Sequence, residues 1–251
     1  MATASSEIRL RKRSALSVCA SSLVLSSLVL SSQAAAYEDV GKVADGGTVA
    51  GQVFFRGTVP KQKIVTNKDL EICGASREEP VVDVGANQGV ANAIVYLTDV
   101  AKGKAWPPAG AKPQLNNVKC RFEPAVQVIQ GGSIDVVNKD PVLHNTHGYY
   151  GKRTAFNVAL PNQNQSVAAD LQKSGTVRID CDAHGWMEGW VFVRDNPYYA
   201  LTDAEGKFTI GDIPPGTYTL VTEQPYSAIV TQSVAVAAKA AANVTVELKL
   251  K

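Results

Sequence analysis

Short segments rich in β-branched residues recur along most of this chain, whereas helical periodicity is nearly absent after residue 36. Such segments, when they alternate apolar and polar positions between Gly, Pro, Asn and Asp, are typical of β-strands joined by turns. The predicted strands include residues 48–55, 93–97, 125–129, 133–137, 176–180, 189–193, 207–210, 217–221 and 244–250. We therefore predict an all-β protein built of β-sandwiches.

Residues 1–36 are predicted to be an export signal. A basic stretch at positions 9–13 precedes an uncharged, Ser-rich run that ends in small residues before Tyr37. This order is typical of secretory signals, with cleavage after Ala36. The apolar part of the run is short for a membrane span, and no second hydrophobic stretch follows it. We expect an exported, periplasmic or otherwise extracytoplasmic protein whose mature chain has no transmembrane segment; a retained membrane anchor or a lipid on Cys19 are the alternatives.

The charge balance gives no indication of nucleic-acid binding. The chain has 25 Lys and Arg against 23 Asp and Glu. Removal of residues 1–36 takes four basic residues and one acidic residue, so the mature chain is close to neutral. It carries no basic stripe and no aromatic platform on which bases could stack.

Three cysteines remain after maturation, and an oxidising compartment favours a disulfide between two of them. Cys73 and Cys120 have no His or Met nearby in the sequence, so we pair them with each other. In the chain-entropy model, a disulfide that closes a loop of this length stabilises the fold by roughly 4 kcal/mol. Cys181 is left free.

Cys181 lies in one of two short clusters of metal-binding residue types. The first cluster contains His144 and His147, and the second contains Cys181, His184 and Met187. A thiolate, two imidazoles and a thioether form the ligand set of a blue-copper electron-transfer site. A soft thiolate and thioether favour Cu(I) while imidazoles support Cu(II), so the mixed set suits a metal that must change its charge quickly.

The C-terminal region resembles a second kind of β-domain. Residues 202–208 read T-D-x-x-G-x-F and residues 214–220 read P-P-G-x-Y-x-L, a pattern similar to the carboxypeptidase regulatory-like (transthyretin-like) β-sandwich. Segments 47–55 and 92–97 are similar to earlier strands of that domain. The resemblance implies one discontinuous sandwich made of residues 45–112 and 196–251, with a metal domain, residues 114–195, inserted in it. Two domains in series is the competing arrangement.

The metal clusters resemble the cupredoxin family, and the spacing Cys181-x2-His184-x2-Met187 is similar to its amicyanin branch, which includes methylamine utilisation proteins. The resemblance implies a Greek-key sandwich with one type 1 copper. It makes His144, Cys181 and His184 the equatorial ligands and Met187 the axial ligand. It also implies that the side chain of Asn145 ties the first ligand strand to the ligand loop. The partners would be redox proteins of the cytochrome c, dehydrogenase or oxidase type, and the chain would not be an enzyme.

Other interpretations use the same residues. His144, His147, Cys181 and His184 could form a closed, structural zinc site in an envelope binding module, or a vestigial one. Residues three apart on a strand face opposite sides, however, so we expect His147 to lie at the surface or behind the site. A cysteine–histidine hydrolase with Cys181 as nucleophile is a further alternative, without a clear orienting partner.

The chain departs from the amicyanin branch at Gly185, where a proline is usual, and in the two aspartates that flank the cysteine, Asp180 and Asp182. We expect both carboxylates to point away from Cys181.

Overall fold

The part of the chain described by the computed structural model consists almost entirely of β-strands, which confirms the predicted fold class. It comprises Met1, residues 36–108 and residues 110–251. The predicted export signal, including Cys19, lies outside the described residues apart from its two ends. Over the described residues, no helix combines the length and the apolar character that crossing a membrane requires.

The described residues form one short α-helix, one 3-10 turn and a series of strands. The α-helix is α1 (Leu70–Cys73), and the 3-10 turn spans Ala86–Gln88. The strands are β1 (Glu38–Asp39), β2 (Gly47–Phe55), β3 (Lys61–Ile64), β4 (Arg77–Pro80), β5 (Ile94–Thr98), β6 (Lys102–Gly103), β7 (Gln114–Val118), β8 (Arg121–Glu123), β9 (Val126–Gln130), β10 (Gly132–Asn138), β11 (His144–Tyr150), β12 (Arg153–Leu160), β13 (Ser166–Leu171), β14 (Gly175–Cys181), β15 (Glu188–Arg194), β16 (Tyr199–Leu201), β17 (Lys207–Ile213), β18 (Gly216–Glu223), β19 (Val230–Val236) and β20 (Ala241–Leu248).

Strands β7–β15 build two sheets. One sheet has the order β13-β10-β7-β8 and the other β12-β11-β14-β15-β9. In the second sheet, β11 and β14 are antiparallel neighbours with Thr146 opposite Cys181. This pairing brings the start of β11 beside the end of β14, so both predicted ligand clusters lie at the same end of the sheet.

Strands from both ends of the chain pair with each other. One sheet has the order β16-β5-β18-β19, and another has β17-β2-β20. Strand β2 runs parallel to β20, with Thr48 opposite Ala241, although about 190 residues separate them in the chain. Strands β3 and β4 form a separate antiparallel hairpin, with α1 between them. The domain limits 45–112, 114–195 and 196–251 remain a prediction.

Two hydrophobic cores lie within these sheets. The first core takes its buried side chains from segments 49–100 and 198–248, and Val49, Val53 and Tyr198 are fully buried in it. The second core takes them mainly from β7–β15 and includes Ile179, Cys181 and Met187. The side chain of Cys73 in α1 also belongs to the second core and forms a disulfide with Cys120. The predicted disulfide is therefore confirmed.

The predicted strands recur in the structure with small shifts at their ends. A strand that carries His144 and His147 was also expected, although no apolar alternation marks β11. Its inward-facing residues are His144, Thr146 and Gly148, while Asn145 and His147 are half-buried on the other face. A strand is recognised in a sequence by apolar residues at alternate positions, and β11 has none on its buried face.

Candidate metal centre

The ligand loop connects β14 to β15 through two consecutive tight turns. Cys181 is the last residue of β14, and its carbonyl accepts the N–H of His184 at 3.2 Å. The carbonyl of His184 in turn accepts the N–H of Met187 at 2.9 Å. Each turn advances three residues, so the x2 spacing places the three side chains one turn apart along the loop.

Three metal-binding atoms converge inside this end of the sandwich. The sulfur of Cys181 lies 3.7 Å from Nδ1 of His144 and 3.7 Å from Nδ1 of His184. The two Nδ1 atoms are 3.2 Å apart. Both imidazoles are fully buried and the cysteine is 1% exposed. The three atoms all lie within 4.8 Å of one another, close enough to share one metal ion.

Met187, the fourth predicted ligand, is also buried. It is 3% exposed and packs in the second core together with Cys181. A thioether in this core can serve either as a soft metal ligand or as an apolar filling residue. Its role as an axial ligand therefore remains a prediction.

Each imidazole has a carboxylate behind it. Nε2 of His144 donates to Oδ2 of Asp140 at 2.9 Å, and Nε2 of His184 donates to Oδ2 of Asp69 at 2.9 Å. A carboxylate can only accept a hydrogen bond, so the proton of each neutral ring sits on Nε2. Both Nδ1 atoms consequently direct a lone pair towards the sulfur and towards each other.

This arrangement fits a metal ion. Two lone pairs facing each other inside a protein repel unless a proton or a cation lies between them. Burial lowers the pKa of His144, which the hydrogen bond to Asp140 only partly offsets, and so disfavours an added proton. A soft cation would satisfy both nitrogens and the sulfur together, and an imidazole backed by a carboxylate is the usual form of a metal-ligating histidine.

The thiol of Cys181 is held in its neutral form when no metal is bound. Burial raises the pKa of Cys181, although backbone N–H groups of Asn145, Ala183 and His184 point at the sulfur and oppose that shift. The same N–H groups would stabilise a thiolate once a cation is present. Metal binding at this centre should therefore release one proton from the thiol.

Asp140 connects His144 to the disulfide loop. Its Oδ1 accepts the N–H of Lys119 at 2.7 Å, and its Oδ2 also accepts the N–H of Cys120 at 2.9 Å. Asp140 is 4% exposed, and a buried charge of this kind needs several donors. These bonds fix its position and, through it, the orientation of the His144 ring.

His147 lies outside the cluster. On β11 it faces away from His144, as expected for residues three apart, and its ring stacks on Tyr149 at 4.0 Å. Its Nδ1 lies 3.1 Å from Asp182, and its Nε2 lies 2.9 Å from the hydroxyl of Thr154. The zinc site that would combine His147 with His144, Cys181 and His184 is therefore not formed. Asp182 contacts His147 here, and Asp180 pairs with Arg178 at 2.8 Å.

Asn145 connects the two ligand segments through its backbone rather than its side chain. Its carbonyl accepts the N–H of Asp182 at 2.9 Å, and its own N–H points at the Cys181 sulfur. Its side-chain oxygen is buried and has no hydrogen-bond partner among the described residues. The expected side-chain link is not formed through this oxygen, and the backbone bonds between the two segments supply the connection.

The sequence did not identify Asp69 or Asp140. Asp140 lies four residues before His144, a spacing that could have indicated a contact in a short loop. Asp69 is 115 residues from His184, and nothing in its own neighbourhood relates it to a metal. The predicted disulfide was the available signal for Asp69, because it brings the segment around Cys73 close to Cys120.

A cleft of about 660 Å³ opens beside the centre. Its lining includes Cys181, Met187, Lys63, Arg178 and Tyr226. Trp186 also lines it and packs against His184, with 5.1 Å between the ring centroids.

Comparisons with known proteins identify both parts of the predicted resemblance. Residues 191–249 match the family model of the carboxypeptidase regulatory-like domain. No curated protein matches the chain.

Among solved structures, a reduced-state amicyanin variant is 20% identical, with 34% of this chain and 85% of that chain covered and a TM-score of 0.31. A purple cupredoxin from Nitrosopumilus maritimus is 21% identical, with coverages of 33% and 100% and a TM-score of 0.30. A copper-containing nitrite reductase from Thermus scotoductus SA-01 is 20% identical, with coverages of 36% and 24% and a TM-score of 0.30. The chain thus resembles the carboxypeptidase regulatory-like domain over residues 191–249 and cupredoxins over about a third of its length.

Proposed function

We propose that this chain is an exported, mononuclear type 1 copper protein that carries single electrons between redox proteins in the periplasm. The observation that carries the proposal is the convergence of His144 Nδ1, His184 Nδ1 and Cys181 Sγ, with both imidazole protons turned outward to carboxylates. The donor set is one thiolate and two imidazoles, with the thioether of Met187 in the same core. This is the combination that suits a copper electron-transfer site.

The residues of the chain would hold the ion without rearranging. The copper ion would supply the one-electron couple between Cu(II) and Cu(I). Both imidazoles are oriented by carboxylates before any metal arrives, and the thiolate would be stabilised by backbone N–H groups. Full burial of both histidines excludes water from their ligand atoms. A rigid, dry site of this kind lowers the reorganisation that accompanies a change of charge.

Partner proteins would make a small, transient contact near the centre. Leu143 precedes His144 in the chain and is 44% exposed, and Leu70 follows Asp69 and is 56% exposed. Large apolar side chains at such positions favour brief docking of a redox partner of the cytochrome c, dehydrogenase or oxidase type. The mature chain is close to neutral, so long-range electrostatic steering would be weak.

The site gives little support to hydrolase chemistry. A nucleophilic cysteine needs an accessible thiolate, whereas Cys181 is buried and burial raises its pKa. Both rings are oriented by carboxylates with Nδ1 towards the sulfur, as a general base would also require, but a sulfur in a residue that is 1% exposed is not open to a substrate.

The test is the visible absorption spectrum of the purified chain after addition of Cu(II), beside C181S and the matched control S166A, which removes an exposed hydroxyl from β13. An intense thiolate-to-copper band in wild type and S166A, and its absence in C181S, is expected. A colourless wild-type protein that binds zinc stoichiometrically would contradict the proposal and favour a structural metal site.

A further inference from the structure

The carboxylate behind His184 comes from a distant part of the chain. Asp69 immediately precedes α1, between β3 and β4, and is not part of any strand of the two sheets that carry the metal centre. Its Oδ2 accepts the hydrogen bond of His184 Nε2 at 2.9 Å. Its own side chain is 28% exposed, whereas the His184 side chain is fully buried. Asp69 therefore lies between the imidazole and the solvent.

The position of Asp69 is fixed by its backbone. Its carbonyl accepts the N–H groups of Ile72 and Cys73 at 3.0 and 2.9 Å, which closes the turn of α1. The residue adopts a left-handed conformation with φ 49°, which Asp tolerates better than most residues. Ser76 closes the same segment by accepting the N–H of Thr66 at 3.0 Å.

The disulfide anchors this segment to the metal centre. Cys73 is bonded to Cys120, and the sulfurs of both lie within 4.8 Å of a ring nitrogen of His184. The N–H of Cys120 donates to Asp140, which in turn orients His144. One continuous set of contacts thus runs from His184 through Asp69, α1 and the disulfide to Asp140 and His144.

We propose that Asp69 is a positioning residue of the metal centre, supplied by the α1 segment. It holds His184 with its proton on Nε2 and Nδ1 free for the metal, and its negative charge favours the oxidised ion. The proposal rests on the proposed function for its effect on copper, but the tautomer of His184 belongs to the metal-free chain as well. The α1 segment then completes the site, rather than serving only as a scaffold.

Three variants separate the hydrogen bond from the charge. D69A removes both, D69N keeps a hydrogen-bond acceptor of the same shape without the charge, and E71Q removes an exposed carboxylate two residues away as the matched control. All three are made in the full chain. The metal-free proteins are examined by ¹⁵N NMR of the histidine ring nitrogens, and the copper-loaded proteins by metal competition and redox titration.

In the metal-free chain, His184 should carry its proton on Nε2 in wild type, D69N and E71Q, and should become a mixture of tautomers in D69A. With copper, D69A should bind about 10- to 100-fold more weakly, the usual cost of removing a residue that orients a metal ligand. D69N should favour Cu(I) over Cu(II) by about tenfold relative to wild type, which corresponds to a potential about 59 mV higher for one electron. E71Q should resemble wild type in both measurements.

The outcomes distinguish this proposal from the function itself. If His184 keeps a single Nε2–H tautomer in D69A, or if E71Q shifts the potential as much as D69N, the role of Asp69 is overturned. If wild type shows no thiolate-to-copper band but D69A still loses the tautomer, the copper function fails while the positioning role stands.

Discussion

The two hydrophobic cores of this chain both bury polar groups, but they satisfy them differently. In the first core, the hydroxyl of Thr202 donates to the carbonyl of Val90 at 2.6 Å and accepts the N–H of Ala93 at 2.9 Å. The hydroxyl of Tyr198 likewise bonds to two backbone groups, of Asp212 and Lys104. These polar groups meet backbone partners and stabilise the fold.

In the second core, the buried polar groups at the metal centre are only partly satisfied by one another. The carboxylates of Asp69 and Asp140 take the Nε2 protons of the two histidines, which leaves two Nδ1 lone pairs and one sulfur facing the same point. Buried polar groups that lack partners lower the stability of the fold, and in native proteins they are found mainly at functional sites. The difference between the two cores therefore places the candidate functional site in the second core.

The largest expected effect comes from removing the disulfide that joins α1 to the second core. The double variant C73S/C120S should lose about 4 kcal/mol of the free energy of unfolding, because its unfolded chain is no longer restricted. Urea unfolding of wild type and variant measures the difference. A loss below about 1 kcal/mol would mean that strain in the native state cancels the entropic gain.

A cavity in the first core should lower stability without affecting the metal centre. Leu220 is 1% exposed in that core, so L220A should cost about 3 kcal/mol. Its copper spectrum should equal that of wild type. The matched variant I179A empties a similar volume on β14, two residues before Cys181, and should cost a similar amount while also changing the spectrum. Equal spectra for both variants would contradict the separation of the two cores.

Acid should destabilise the metal-free chain through the second core. Burial lowers the pKa of His144 below its unfolded value of 6.5, so the stability that its neutral ring contributes is present above pH 6.5 and is lost as the pH falls towards the folded pKa. The loss is at most about 1.4 kcal/mol per pH unit. Urea unfolding between pH 6.5 and 5 measures it, and H144Q should show a flatter dependence. An equal slope in H144Q would assign the effect to other groups.

The smallest effect is expected at His147, on the outer face of the same sheet. H147Q should cost about 1 kcal/mol for the lost contacts with Asp182 and Thr154. The copper spectrum should stay as in wild type, because His147 faces away from the cluster. A lost or shifted thiolate-to-copper band would reinstate His147 as a ligand.

Local patterns accounted for much of the fold. Alternation of apolar residues located β2, β14 and β17, since in these strands one face packs in a core and the other is more exposed. The disulfide followed from the fact that Cys73 and Cys120 lack metal-binding neighbours. Alternation did not mark β11, because its buried face carries His144, Thr146 and Gly148, which give no hydrophobic period.

The candidate site also has a part that local sequence predicted and a part that it did not. Cys181, His184 and Met187 share one loop, so their spacing alone placed them together, and the turns that close the loop are local. The contact between His184 and Asp69 spans 115 residues and depends on how α1 packs against the second core. No local pattern encodes such a contact.

The sequence by itself determined the all-β class and the residue types that meet in the ligand loop, because these depend on periodicity and short-range spacing. It also indicated the disulfide, because Cys73 and Cys120 lack metal-binding neighbours. Only the tertiary structure decided which carboxylates orient the two ligand rings. Those choices depend on strand register and on the packing of α1, and both are set by contacts between residues far apart in the chain.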